Sequence, residues 1–592
     1  MIKLLAQRVT SPQASLYLVG MMFCLPFIMA YHDIPIATFY GEWLAAVLGL
    51  LALSRLLNHS FLQAMQIPRI SLVFLGLLLI CNLQLLIEPQ LSSPQHNLLI
   101  QLYLLWACLL TTLGYHLSLH LSAEKITNTL AKAVVIAAVI NACFFVLQIL
   151  QRLGLSVPIP TLQSYGMLAQ TNQFSDFISL AIVSLMYLYT RKQIRFKTLA
   201  TGLLAGLTLL SFSGSRSSVL YLVIIALLNF LIYTGLRRQS KDTTTAKQLL
   251  QTSLILLPLF FLLQILLTTF LPQALIQTPI TRTMETMGTP SASLRWQFWQ
   301  TSWTLFSQSP WLGIGAGQMR WQTYLLTDDP IVNPARIFFE HAHNLFLHLL
   351  GEMGVFAGVM VLLGLAIWIY GFFKRNSLTW ESWWLLGLLA IIGAHSMLEY
   401  PLWYAPFLGI CAFLLGIGDT DSLCLNRLSR AAQQLLKFSL IAVMIYGAYQ
   451  LYVMQIAYRK LEAQIAVASQ ADMSDSQKQV LVEDMIWVGE NTLLAPYAEL
   501  VLATYMRPSM AQSDVQIKIV ESAIHFIPLR LPTLNYVVLL ELRHTHPEAM
   551  QHLKRISLIA GSDLQTAIRQ LPQDHQIIML SLLAEINKTS IK

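Results

Sequence analysis

Charge is what this sequence has least of. Of its 592 residues only 11% are Asp, Glu, Lys or Arg, against 56% hydrophobic, at a mean hydropathy of +0.60. Soluble domains carry about a quarter charged residues, so this chain lacks the polar surface to cover a water-soluble globule of its length. It reads as an integral membrane protein. Cysteine is scarce too: Cys24, Cys81, Cys108, Cys143, Cys411 and Cys424 are the only six. That spacing excludes a disulfide-stapled secreted scaffold, and none stands where a disulfide outside the cytoplasm is expected. Also missing are a phosphate-binding Gly-Lys loop, a glycine-rich dinucleotide fingerprint, a serine nucleophile elbow and Cys/His zinc spacing. Nucleotide hydrolysis and ordinary proteolysis therefore have no residues to stand on.

What charge there is falls unevenly. Residues 457–592 hold 12 basic and 14 acidic residues, leaving 25 and 15 for residues 1–456. A polytopic membrane domain, 1–456, should therefore precede a soluble domain, 457–592. Apolar runs of spanning length lie near 15–31, 43–57, 70–88, 98–116, 133–151, 174–190, 198–213, 217–236, 250–271, 343–371, 382–398, 403–418 and 437–456. The expected fold is all-α, with about 13 transmembrane helices. Lys3 and Arg8 before the first run imitate a signal peptide, but no clear cleavage site follows and further spans do, so an uncleaved first helix is expected.

A cytoplasmic N-terminus puts 19 basic residues of the body inside and six outside, a strong positive-inside asymmetry. An odd number of spans then carries the tail to the far side. The six outside are Arg152, Arg216, Arg282, Arg295, Arg320 and Arg336, with no lysine among them. The planar guanidinium grips phosphate bidentately where an ammonium does not, so that face looks built for an anion. A nucleic-acid partner is not expected despite the pI of about 9.1.

The longest outside loop of the body, about 272–342, carries the densest polar and aromatic signal and reads as an ordered lid. At its end His341, His343 and His348 invite a metal. A His-x-His pair projects to one side only on a strand, however, and this one sits at the mouth of a helix. His343, followed by Asn344, is better explained as a proton-handling group. Asp419-Thr-Asp421 matches the short acidic pattern of metal-holding nucleotide-sugar transferases, but on the expected cytoplasmic side. No cofactor or metal is expected.

Ser213-Gly-Ser-Arg216-Ser-Ser, Arg295-Trp-Gln-Phe-Trp, Gly313-Ile-Gly-Ala-Gly317, and His343-Asn with Gly354 after nine further residues resemble, in order and spacing, the signature of the O-antigen ligase and polymerase superfamily. Tyr31 to Trp43, Gly166-Met-Leu-Ala-Gln-Thr-Asn172 and His395-Ser-Met-Leu-Glu-Tyr-Pro-Leu-Trp-Tyr404 resemble its protein-glycosylating branch, the bacterial O-linked oligosaccharyltransferases. Ala357 departs from the Gly, Thr or Val usual in the ligase motif, and Gly358 follows it.

The resemblance implies transfer of a preassembled glycan from undecaprenyl diphosphate to a hydroxyl acceptor on the periplasmic side of the bacterial inner membrane, without nucleotide or metal. Arg216 and Arg295 would stabilise the departing diphosphate and His343 would act as the base. His32, Asp33, Glu42, Gln170, Asn172, Asp176, Asn344, Glu399, Tyr400 and Tyr404 would bind sugar or acceptor, or shape the cavity. The acceptor would be a pilin-like or other periplasmic protein. A ligase acting on lipid A core, a glycan polymerase, or a transporter or flippase are the alternatives; the gathering of ionisable groups at one face speaks for an interfacial enzyme.

The tail shows apolar residues at helical spacing in 479–489 and 491–505, with Pro508, Pro528, Pro532 and Pro547 as punctuation. Short helices in that pattern suggest a tetratricopeptide-like hairpin array, although no clean 34-residue repeat recurs. The charge asymmetry makes a direct prediction. Reporter fusions after Lys197, Lys241 and Arg375 should report cytoplasm, and fusions near Asp328 and Ser562 periplasm; a cytoplasmic tail would remove one span from the count.

Overall fold

A computed structural model describes residues 11–57, 66–87, 93–160, 165–168, 170–272, 278–279, 281, 291–375, 378–424, 429–469, 473–561 and 563–589. Lys3, Arg8, Arg282 and Ser562, named above, lie outside these residues. The described residues form 22 α-helices, four short 3-10 helices and a short antiparallel ribbon, three residues to a strand, in which Gln66–Pro68 pairs with Ser422–Cys424, Gln66 opposite Cys424. Next to the ribbon, Asp419 Oδ2 accepts from the Ile70 amide at 2.9 Å and Asp421 pairs with Arg69 at 3.1 Å. Both carboxylates of the Asp-Thr-Asp motif thus tie two loops together.

A helix lies on each of the thirteen apolar runs. Eight of the described helices are long and apolar enough to cross a membrane, and Pro12–Ile28, Ser71–Ile87 and Ala405–Gly418 are apolar but shorter. The other two, Thr171–Thr190 and Trp380–Ser396, are more polar for a physical reason. Most of each is buried among neighbouring helices, where Asp176, Ser184 and His395 find protein partners instead of lipid.

Local sequence sets the ends. Ser122 accepts from the Lys125 amide at the start of Ala123–Arg152, and Thr379 with Ser382 forms a reciprocal capping box ahead of Trp380–Ser396; such caps contribute about 1 kcal/mol each. Small residues let helices touch. A methyl at Gly416 would stand 1.9 Å from the Thr111 carbonyl oxygen, and one at Gly114 2.3 Å from that of Phe413.

By contacts the chain divides into two units, Met1–Leu75 with Leu104–Ala292 and Met360–Ala448, and Gly76–Tyr103 with Ser293–Val359 and Tyr449–Lys592. The division groups the tail with the polar loop from Ser293 onward and with the helix ends around it. In this second unit seven tail helices, from Asp475–Asn491 to Gln573–Thr589, pack each on the next. Their core includes Val520, Ile524, Leu534, Val538, Leu553 and Ile556, all fully buried, and Trp321 of the loop packs against it.

The loop folds rather than dangles. Helix Met319–Leu325 presents Trp321 to the His525 ring at 4.0 Å, Tyr324 Oη lies 3.0 Å from His552 Nδ1, and Asp328 lies 3.5 Å from Arg555. Burial pushes His525 down to about 4 from 6.5, and burial together with nearby Arg555 and His525 does the same to His552. Both rings fold in the neutral form. Acidification from pH 6.5 toward 4 protonates the unfolded chain before the folded one, so stability is complete above about 6.5 and is lost as pH falls through that window. Thermal melts of purified protein across pH 7.5 to 4 should show this fall, and His525→Phe, which keeps a ring against Trp321, should make it shallower.

Candidate functional site

In the second unit the site is built where a loop enters a helix. Asn344 precedes Leu345–Arg375, its Oδ1 accepting from the Leu347 amide at 3.1 Å and its carbonyl from His348 N. That is an N-cap, the role for which asparagine is favoured. His343, one residue earlier, holds φ +51°. A non-glycine residue in the left-handed region costs on the order of 1 kcal/mol or more, and such strain gathers at functional sites. The half-buried His343 ring stacks on Phe298, with centroids 5.6 Å apart and planes 19° apart. Phe298 is one turn beyond Arg295 on helix Ser291–Gln308, so Arg295 and the ring that seats His343 occupy neighbouring positions on that helix.

Behind His343 a glycine turn is held against a broken helix. At Gly354, φ +75° and ψ −175° interrupt Leu345–Arg375, which frees carbonyls just before it. Ile314 N donates to Gly351 O, Gly315 N to Glu352 O and Val355 N to Pro310 O, at 2.8–3.0 Å. The Glu352 carboxylate takes the Gly317 and Met319 amides at 2.8 and 2.9 Å. Gln84 completes the seam, donating to Leu312 O and Glu352 O and accepting from Ala316 N. A methyl at Gly313 would sit 2.3 Å from the Glu352 carbonyl carbon, and one at Gly354 2.2 Å from Trp311 O. These glycines are there for backbone approach.

The other two histidines serve this frame. His348 Nε2 lies 3.2 Å from Glu352 Oε2, and the His341 ring packs 5.3 Å from the His348 ring. Burial, with His348, Arg320 and His343 nearby, holds His341 well below its ordinary range, so it is neutral at pH 7. Arg320 pairs with Glu340 and lies over the Phe526 ring.

In the first unit three separate sequence motifs meet. Helix Phe196–Ser213 ends at Gly214, φ +69°, and Ser217–Arg238 begins with exposed Arg216 at its N-cap. Ser215 donates to Asn172 Oδ1 at 2.7 Å, Asn172 donates to Glu399 at 2.9 Å, and Ser218 and Ser175 hydroxyls lie 2.8 Å apart. Beneath them Asp176 and His395 pair at 2.7 Å, both buried. Gln170 caps Thr171–Thr190 by accepting from Gln173 N at 2.6 Å. The His32 ring lies 2.7 Å from Ala37 O and 2.5 Å from Met167 O, pinning the first loop to the Gly166 segment. Asp33 accepts from Ile34 N, and Glu42 from Thr38. Tyr404, at the N-cap of Ala405–Gly418, stacks with Tyr400 at 5.8 Å.

Residues 200–362 match the O-antigen ligase family, and residues 383–567 match the C-terminal part of the virulence factor membrane-bound polymerases. The central region of the chain is thus O-antigen-ligase-like. The chain is also similar to the general O-oligosaccharyltransferase of Acinetobacter baylyi, 28% identical over 423 residues, which cover 68% of this chain and 69% of that protein. The ligase-family region contains Arg216, Arg295, the glycine turn, His343 and Gly354.

Sequence reasoning gave no role to Gln84 and Glu352, which hold the glycine turn, or to Ser215, which holds the corner at Arg216. Gln84 and Glu352 did leave a signal, as polar residues inside apolar runs. Glu352→Leu strands the buried Met319 amide at about 1–3 kcal/mol and the part-buried Gly317 amide at less, and should lower the melting temperature of the purified protein. Glu352→Gln keeps one acceptor and should lose about half as much.

Proposed function

We propose that the protein is a protein O-oligosaccharyltransferase: it moves a preassembled glycan en bloc from undecaprenyl diphosphate to a serine or threonine of a periplasmic, pilin-like protein. The reading includes thirteen crossings of the inner membrane, with the active face and a tetratricopeptide-like tail in the periplasm. One observation carries it best. His343, held at φ +51°, stacks on Phe298 one turn from Arg295, which puts a proton acceptor and a fixed cation on adjoining elements. The family match and the activity for which the Acinetobacter relative is named support the same class of chemistry.

In this mechanism the acceptor hydroxyl attacks the anomeric carbon as His343 takes its proton. The new glycosidic bond forms while the bond to the diphosphate oxygen breaks, and undecaprenyl diphosphate leaves. Attack opposite the diphosphate inverts the anomeric centre in a single displacement. Arg295, and Arg216 from the first unit, stabilise charge on the leaving group, which needs no protonation when guanidinium groups face it. His32, Asp33, Glu42, Gln170, Asn344 and Tyr404 are proposed to contact sugar or acceptor. The tail is the surface proposed to receive a folded acceptor.

A lipid acceptor is the competing reading, as the resemblance to the O-antigen ligases implies. Purified protein given a lipid-linked glycan should glycosylate a Ser-rich peptide and a folded acceptor protein; transfer to lipid A core alone would replace this reading with the ligase. His343→Asn keeps a residue that tolerates the left-handed backbone, so it should accumulate and melt like wild type while transfer falls by about 10² or more. Arg295→Lys should also cut transfer severely, as an ammonium does not reproduce the bidentate grip. Near-normal turnover in His343→Asn would make this histidine a structural residue.

A further inference from the structure

Arg216 sits in a corner only three residues long, between Ser213 at the end of one helix and Ser217 at the start of the next. Such a corner is a natural hinge, and a long guanidinium side chain on a hinge is poorly aimed. Both flanks of this one are clamped. Before Arg216, fully buried Ser215 donates to Asn172 Oδ1 at 2.7 Å; after it, fully buried Ser218 lies 2.8 Å from Ser175. Asn172 and Ser175 are three residues apart on Thr171–Thr190, so one helical turn holds both flanks.

The direction of the hydrogen bonds adds a second constraint. An ionised carboxylate only accepts, so Glu399, buried at 8% exposure and 2.9 Å from Asn172 Nδ2, turns the amide with its nitrogen toward itself and its oxygen toward Ser215. The order Glu399, Asn172, Ser215 thus ends at the residue next to the guanidinium. We infer that Asn172 and Glu399 are positioning residues for Arg216, holding the 213–218 corner so that the guanidinium meets the donor diphosphate, and that they do not themselves bind the glycan. The inference rests on the proposed assignment of Arg216 to that diphosphate.

An exchange of partners separates positioning from glycan contact. Asn172→Asp sets two carboxylates against each other. Adding Glu399→Gln restores one donor between the two positions at unchanged net charge, while the second oxygen at 172 still accepts from Ser215. Binding of undecaprenyl diphosphate to the purified full-length protein is read by native mass spectrometry, and exchange of the 214–217 amides by hydrogen–deuterium exchange. Asn172→Asp should weaken binding about tenfold or more, and the double variant should return to within about threefold of wild type. In an Arg216→Ala background Asn172→Asp should cause no further loss. A well-folded double variant as weak as the single one, or an equal further loss without Arg216, overturns the inference. If wild type and Arg216→Ala bind undecaprenyl diphosphate alike, the donor assignment falls instead. The amide exchange then still decides: faster exchange in Asn172→Asp that slows again in the double variant supports a held corner, and unchanged exchange overturns it.

Discussion

Backbone groups that leave a helix in apolar surroundings must be answered by other protein groups, since lipid offers none. The structure meets that constraint at three breaks. At Gly214 the serines of the following corner bond to Thr171–Thr190. At Gly354 the freed carbonyls receive a glycine turn, with Gln84 and Glu352 filling the remaining seam. At Leu345 the first amides are covered by Asn344. Two of these breaks carry a candidate for the chemistry beside them, Arg216 after Gly214 and His343 before Leu345, and the one at Gly354 anchors the turn behind His343. At those two breaks the groups that seal the exit from the helix also hold the candidate residue still, whereas Arg295 stands on a helix.

This explains which parts of the fold were legible. Apolar runs such as 133–151 and 250–271 declare themselves by composition, because a helix facing lipid has no alternative. Thr171–Thr190 and Trp380–Ser396 are harder to classify: their polar residues are satisfied by distant partners, Asp176 by His395 and Ser184 by Trp384, some 200 residues away. Arg216, Arg295 and His343 were visible from residue type and motif order. Glu352 was not, because a lone carboxylate in an apolar run states that it is satisfied without stating by what. The glycine turn looked like loop punctuation in sequence, and only the 2.2–2.3 Å approaches at Gly313 and Gly354 give its glycines their reason.

The polar groups also divide by what they touch. His341, His348 and Glu352 are buried and face one another, while Arg216 is exposed and His343 half-buried. A scan for histidines alone would treat His341, His343 and His348 alike. Backbone conformation and ring stacking single out His343, whereas the neutral, buried His341 belongs to the scaffold.

The seating of Trp321 and Tyr324 on the tail has a consequence for biosynthesis. Tyr324 and its partner His552 are separated by 228 residues. At a translation rate of about 5–20 residues per second, the loop's aromatic face waits on the order of 10–50 s for its partner to emerge. During that interval two large rings meant for a protein core face solvent or lipid headgroups. The loop cannot reach its final packing co-translationally by local folding alone, and its maturation is tied to completion of the C-terminal helices.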